Sequence, residues 1–367
     1  MTVDDIAHIM ETWAPHWTAW ERDNVGLQLG ERTRRVRRVG VALDITDAVV
    51  DEAIRKKADL LISHHPLFFN PPKNITSDDR IGAMALRLIE RRIAVFSSHT
   101  NLDSVRGGVN TTLARSLGLK KVSFLTPLSD ILVKLAVFVP VGHTADIRRA
   151  LSSTGAGVIG HYTSCTFNTP GVGTFKAERS AHPYIGSSGR FETADEVKVE
   201  AVVPRALLER TVAAIRAVHP YDEIAYDVYP VENPDVTYGL GAIGTLSAPT
   251  TLDLFLRRVR RVTGARHVRY SGSAATVRTV AVCGGSGSDY IRHARDAGAD
   301  VYITADVRYH AHQESTRQFA IIDAGHWETE HLVLPEIAGR LRSSMGRGTA
   351  APKVYVTRIN TNPVHTS

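Results

Sequence analysis

Two stretches of this chain, one towards each end, carry the same succession of strand, turn, helix and strand, and in both the polar residues gather where a strand stops. Val39–Leu43 reads as a strand, Asp44 as a turn, and the residues through Lys57 as an amphipathic helix. An apolar strand, Leu60–Ile62, then ends in Ser63-His64-His65. A second helix (Ile81–Arg91) leads to the strand Ile93–Phe96, which ends at Ser-Ser-His99-Thr-Asn-Leu-Asp103. The order returns with Thr279–Val282, a Gly-Gly-Ser-Gly turn and a helix through Arg295. Ala299-Asp300-Val-Tyr-Ile-Thr304 matches Ala58-Asp59-Leu-Leu-Ile-Ser63, and Phe319–Ile322 leads to Asp323-Ala-Gly-His326-Trp-Glu-Thr-Glu330. Each half thus closes on His-x-x-x-carboxylate, a coincidence that apolar patterning alone would not produce. We read a degenerate duplication: an α/β fold of two similar halves, residues 1–126 and 237–367, forming one metal-binding domain.

Residues 127–236 have a different texture, bounded by Thr126-Pro127 and Glu232-Asn-Pro234. A strand over Asp130–Pro140, a helix from Asp146 and a Gly-punctuated hairpin over Cys165–Lys176 are expected. They are followed by a strand (Glu196–Val203), a helix (Ala206–Val218) and a strand (Ala225–Val231). That β-α-β-β-α-β order predicts an inserted ferredoxin-like α+β domain.

A chain of 367 residues has room for more than one core. Its charge of +6 raises the question of nucleic acid, but the basic clusters Arg32–Arg38 and Arg257–Arg261 are short and carry no interleaved aromatics, so they read as a solvated face. Cys165 and Cys283 are too far apart for a CxxC knuckle and offer no disulfide framework, which fits a reducing compartment. The amino terminus is interrupted by Asp4, Asp5 and Glu11, and no apolar run approaches the ~18 residues of a membrane span; a cytoplasmic protein is expected.

His64 and His65 stand where open α/β sheets place ligands, beyond the carboxyl end of a strand. Pro66 keeps His65 extended, so the adjacent imidazoles project in different directions. His326 and Glu330, four apart, share a face if Gly325 opens a helix. Asp103 lies beyond a third strand end. Imidazole with carboxylate suits Zn, Mn, Fe or Co, and the lack of thiolates argues against a structural zinc knuckle. Five ligands exceed the needs of one catalytic ion and suit two divalent ions about 3.5 to 4 Å apart, which make a nucleophile of water at neutral pH. Hydrolysis at carbon or phosphorus is the natural reaction class.

These motifs resemble the dinuclear-metal, Nif-three-like family, many of whose members are called GTP cyclohydrolase 1 type 2 homologue. The resemblance spans nearly the whole chain: Trp20-Glu-Arg-Asp-Asn24-Val-Gly26, Ser63-His64-His65-Pro66, His99-Thr-Asn101-Leu-Asp103 with Gly107-Gly-Val-Asn110, and Gly325-His326-Trp-Glu-Thr-Glu330. His219-Pro-Tyr-Asp-Glu223 with Ala225-Tyr-Asp-Val-Tyr-Pro230 is typical of longer members carrying an insert. The resemblance implies metal ligation by His64, His65, Asp103, His326 and Glu330, two divalent ions (Zn, Fe or Mn), a PII-like or CutA-like insert and a homohexamer. Two departures are Ala242, where an arginine is expected, and Ala305 before Asp306, where glycine is common. Within a cyclohydrolase reading, His99 and His310 are the candidate proton donors, and Asn24 and Asn101 orient ligands or satisfy loop backbone. Three functions stay open on the sequence: a cyclohydrolase opening a guanine ring, a metal-dependent hydrolase of a phosphoester or another nucleotide, and a non-enzymatic metal-binding regulator or scaffold whose insert senses a metabolite or another protein.

Overall fold

The computed structural model describes residues 1–346, 348 and 351–365, and the chain divides into two compact units, Met1–Thr126 with Tyr238–Ser367, and Pro127–Thr237. The first unit begins with α1 (Val3–Trp13), closed at its start by a reciprocal capping box between Thr2 and Asp5. There follow β1 (Gly26–Leu29), β2 (Arg38–Ala42), α2 (Asp47–Arg55), β3 (Leu60–Ser63), α3 (Arg80–Glu90) and β4 (Ala94–Ser97). Then come α4 (Thr100–Asp103), α5 (Val109–Ser116) and β5 (Lys120–Leu128). The second unit holds β6 (Leu132–Pro140), α6 (Thr144–Ser153), β7 (Phe167–Lys176), β8 (Phe191–Pro204), α7 (Leu208–Arg216) and β9 (Tyr226–Pro230). The chain returns to the first unit with β10 (Asp235–Thr250), α8 (Leu252–Thr263), β11 (Arg269–Ser271), β12 (Val277–Val282) and α9 (Ile291–Asp296). It finishes with β13 (Val301–Thr304), α10 (Tyr309–His312), β14 (Ala320–Asp323), α11 (His326–Glu330), α12 (Leu334–Ser344) and β15 (Lys353–Val356).

The first unit contains two sheets. One has the order β1-β4-β3-β2-β15, parallel except for β1; the other runs β11-β14-β13-β12-β10-β5, with β12, β13 and β14 parallel. Every residue of β3, β4, β13 and β14 is buried, which is why these strands read as unbroken apolar runs instead of alternating ones. The repeat is visible in the hydrogen bonds. Asp59 accepts from the backbone N–H groups of Arg37 and Arg38 at 2.8 and 3.0 Å, and Asp300 accepts from those of Arg278 and Thr279 at 2.8 Å each. Both aspartates therefore lock the start of a parallel strand to its neighbour. The halves also exchange edges: β15, from the end of the chain, pairs with β2, and β5, from the first half, lies beside β10. Local patterning does not announce such an exchange, because strand partners are chosen by long-range contacts.

In the second unit the sheet order is β7-β8-β6-β9, with every neighbouring pair antiparallel. Val133, Leu135, Val137, Val199 and Val203 alternate inward against Ile147, Leu151 and Ile215 of α6 and α7. The hairpin expected within Cys165–Lys176 is instead one strand, β7, paired along its length with β8. Its glycines mark a close approach rather than a turn: a Cβ at Gly173 would lie 2.3 Å from a Glu196 carboxylate oxygen. Among the described residues no helix is long and apolar enough to cross a membrane.

Candidate metal centre

The carboxyl ends of β3, β4 and β14 bring four imidazoles together, all within the first unit. The rings of His64, His65 and His99 lie 4.9, 5.2 and 5.4 Å from one another, and His326 is 5.4 Å from His65. Each ring is held by its Nδ1. His64 donates to the Ser98 carbonyl at 2.9 Å, His65 to Asp44 at 2.7 Å, His99 to Asp23 at 2.9 Å and His326 to Asp306 at 2.6 Å. An Nδ1–H given to an acceptor fixes the tautomer and leaves Nε2 as the free ligand nitrogen, the arrangement in which histidine binds metals.

Glu330 stands in the middle. Its Oε1 is 3.2 Å from His326 Nε2 and 3.7 Å from His64 Nε2, and its Oε2 is 3.0 Å from His65 Nε2. Asp103 Oδ1 lies 3.8 Å from His64 Nε2. Three of these atoms, His64 Nε2, Asp103 Oδ1 and Glu330 Oε2, are buried without a hydrogen-bond partner, although Glu330 Oε2 lies 3.0 Å from His65 Nε2. Orphaned buried polar atoms are costly, and three in one cluster are atoms that a cation could satisfy. Two overlapping groups of potential ligands, His64-His65-His99 and His65-His326-Glu330, share His65.

Charge accounts for the titration of the cluster. Burial lowers the affinity of His65 for its proton, but Asp44 and Glu330 outweigh it and raise its pKa to about 10. His326 is raised to about 9, burial again being overcome by Glu330 and Asp306. Burial opposes ionisation of Glu330 too, yet His64, His326 and His65 hold it well below the usual carboxylate range. Asp103, buried and next facing the Glu330 charge, is pushed up to about 7. Protons thus stand in for positive charge among these groups.

Glycine lets the two halves close on the site. Gly325 starts α11 with φ at 91°, a conformation that side chains rarely adopt, and a Cβ there would meet a Glu328 carboxylate oxygen at 2.2 Å. A Cβ at Gly285 (φ 63°) would come within 2.3 Å of Glu330 Oε1 and 3.1 Å of His326 Nε2. The Gly-Gly-Ser-Gly turn is no phosphate cradle, because the amides of Gly284, Gly285 and Gly287 already donate to Asn110, Thr329 and Thr304. Asn110 ties the halves together: it accepts from Gly284 and donates to the Asp103 carbonyl at 3.0 Å.

A family model, described as Duf34/NIF3 (NGG1p interacting factor 3), matches residues 1–363. The chain belongs to this family. It is 39% identical over 364 residues to a Halalkalibacterium halodurans protein named GTP cyclohydrolase 1 type 2 homolog, covering 98% of this chain and 96% of that one. A Bacillus subtilis protein of the same name is 39% identical over 361 residues, with coverage of 98% and 96%. Among solved structures, a Bacillus cereus protein related to NIF3 superposes with a TM-score of 0.83 at 36% identity, covering 100% of this chain and 99% of that one.

In this DUF34/NIF3 chain the five expected ligand residues and His99 come together, whereas His310 does not join them. It is exposed on α10, with its ring edge-on to Tyr309. Asn24 donates to the Phe68 carbonyl and Asn101 to the Ala14 carbonyl, so both satisfy loop backbone. Ala242 is fully buried in the apolar core of the second sheet, and Ala305 is equally buried with its N–H donating to Gly285. The sequence reading missed the acids that orient the rings: Asp23, Asp44 and Asp306. The available signal was position, since Asp44 and Asp306 follow β2 and β13, each at the carboxyl end of a buried strand in its own sheet. Thr361 was also missed; its hydroxyl donates to Asp44.

Proposed function

We propose that this protein is a metal-dependent hydrolase with a dinuclear centre, acting on a nucleotide or a related small molecule. The observation that carries the reading is the set of three orphaned buried atoms, His64 Nε2, Asp103 Oδ1 and Glu330 Oε2, encircled by imidazoles already pinned by their other nitrogen. His64, His65, Asp103, His326 and Glu330 would hold two divalent ions, with Zn, Fe or Mn best suited to this donor set. His65, shared by both ligand groups, and Glu330, whose Oε1 approaches both His64 and His326 while its Oε2 approaches His65, favour two ions over one. Such a pair supplies a nucleophile from water at neutral pH and a Lewis acid beside it.

The chain's own residues supply the rest. Asp44 and Asp306 orient His65 and His326 and strengthen them as ligands. His99, held by Asp23 at the edge of the cluster and still a fifth exposed, is the group placed to pass a proton to a leaving nitrogen or oxygen. This position favours His99 over His310 as the donor. The Phe69 ring stands edge-on to His99 at 5.7 Å.

The reading extends to the assembly and the insert. The second unit's antiparallel order and its two helices support a ferredoxin-like insert of the PII or CutA type, and we place the protein in the cytoplasm as a homohexamer. A non-enzymatic regulator is the second reading. It draws on a separate cavity of about 610 Å³ in the insert, bordered by Leu208, Val212, Tyr226 and Val228, which has the size of a ligand pocket.

Two measurements test the proposal. Elemental analysis of protein purified without chelator should find transition metal that is lost in His65→Ala; near-zero metal in both rejects the centre. Incubation with GTP should release formate if the reaction is a ring opening. Turnover of a phosphoester without formate moves the reaction to phosphorus, and binding confined to the insert favours the regulator.

A further inference from the structure

Beside the metal cluster lies a cavity of about 640 Å³, within the ~300–1,000 Å³ typical of small-molecule sites. His65 and His326 border it, as do residues 264–269 after the end of α8 and residues 360–365 beyond β15. Its charged groups divide clearly. Asp44 accepts from His65 and Thr361, and Asp306 from His326 and Ser286. Asp323 is taken up by Arg269 and by the amides of Val307 and Gly325, and Glu328 by the Asn362 side chain. Arg266 alone among the lining arginines has no partner among the described residues; it is exposed, as is His267 beside it. The acids are committed, and an unanswered guanidinium remains.

We propose that this cavity binds a small phosphate-bearing molecule, with the phosphate on Arg266 and the rest of the molecule towards His65 and His326. A guanidinium presents a planar fork of donors that matches phosphate oxygens. Residues 360–365 form another wall through the Asn362–Glu328 and Thr361–Asp44 bonds, so the cavity and the orientation of His65 depend on one segment. The proposal rests on the hydrolase reading for which end of the ligand reacts, but the anion contact is Arg266 itself.

Calorimetric titration of the purified protein with GMP and with guanosine tests this. Wild type should bind GMP at least tenfold more tightly than guanosine. Arg266→Gln should weaken GMP by tenfold or more, leave guanosine and metal content unchanged, and be partly rescued by Arg266→Lys. Equal affinity for GMP and guanosine, or GMP binding indifferent to Arg266→Gln, overturns the proposal. Failure of the hydrolase reading would appear separately, as absence of metal in the wild type by elemental analysis.

Discussion

At the end of β3 the chain places His64 and His65; at the matching point of the second repeat, after β13, it places Ala305 and Asp306. The frame beneath them is the same, with Asp59 and Asp300 clamping equivalent strand starts through two amide bonds each. The chemistry above them has diverged. In the first half the strand end supplies rings that face the centre, while in the second the aspartate at the equivalent place turns to hold His326. The repeat therefore provides clustered imidazoles from one copy and, at the same position of the other, a carboxylate that orients one.

The largest effect should come from removing the residue at which both halves meet. Glu330→Ala leaves His64, His65 and His326 facing one another without their carboxylate. Breaking a buried ionic group in this way costs about 3–5 kcal/mol, and metal content should fall to background in elemental analysis.

Acidity should come next, because metal competes with the protons on His65 (about 10) and His326 (about 9), and affinity should fall about 100-fold as pH drops from 8 to 7, where two protons are displaced, and more steeply below, where Asp103 (about 7) is also protonated. Stability of the metal-free protein runs the other way. Both histidines are raised above their unfolded value of ~6.5, so their contribution is full below that pH and is lost as pH climbs through 9 to 10. Asp103, raised to about 7, likewise contributes fully below its unfolded value of ~4, and that contribution is lost progressively as pH rises through 7. Thermal midpoints at pH 6 and pH 9.5, with and without chelator, should move in opposite directions; a parallel shift would mean that metal and protons do not compete for these histidines.

Asp306→Ala should weaken metal binding by about 10–100-fold, whereas His65→Ala should abolish it, since one residue is a support and the other a ligand. Equal losses would mean that the two repeats contribute alike. In the frame, Asp59→Ala and Asp300→Ala should each cost about 1–3 kcal/mol in urea unfolding while leaving metal content unchanged. A large inequality would show that the halves share a pattern but not a structural role. Thr361→Val, which removes one hydroxyl from Asp44, should produce the smallest change, about 0.5–1.5 kcal/mol, with metal retained.

The site was legible in the sequence to the extent that it follows from local order. His64, His65, Asp103, His326 and Glu330 all come just after buried strands, and strand ends can be found from apolar runs. What escaped depends on distance along the chain. Asp23 meets His99 across 76 residues, and Thr361 meets Asp44 across 317, which no periodicity signals. The exchange of β5 and β15 between sheets escaped for the same reason. His310 was drawn into the candidate set by residue type, and its turn on α10 leaves it in solvent. Gly171 and Gly173 read as turn glycines, whereas strand β7 uses Gly173 to admit the Glu196 side chain.

If the two halves build one dinuclear centre, anomalous diffraction at the absorption edge of the co-purified metal will locate both ions. Crystals grown without added metal or chelator should show two peaks, one among His64, His65 and Asp103 and the other towards His326, with Glu330 between them. A clean map at those side chains, from protein that carries its metal elsewhere or carries none, would contradict the account.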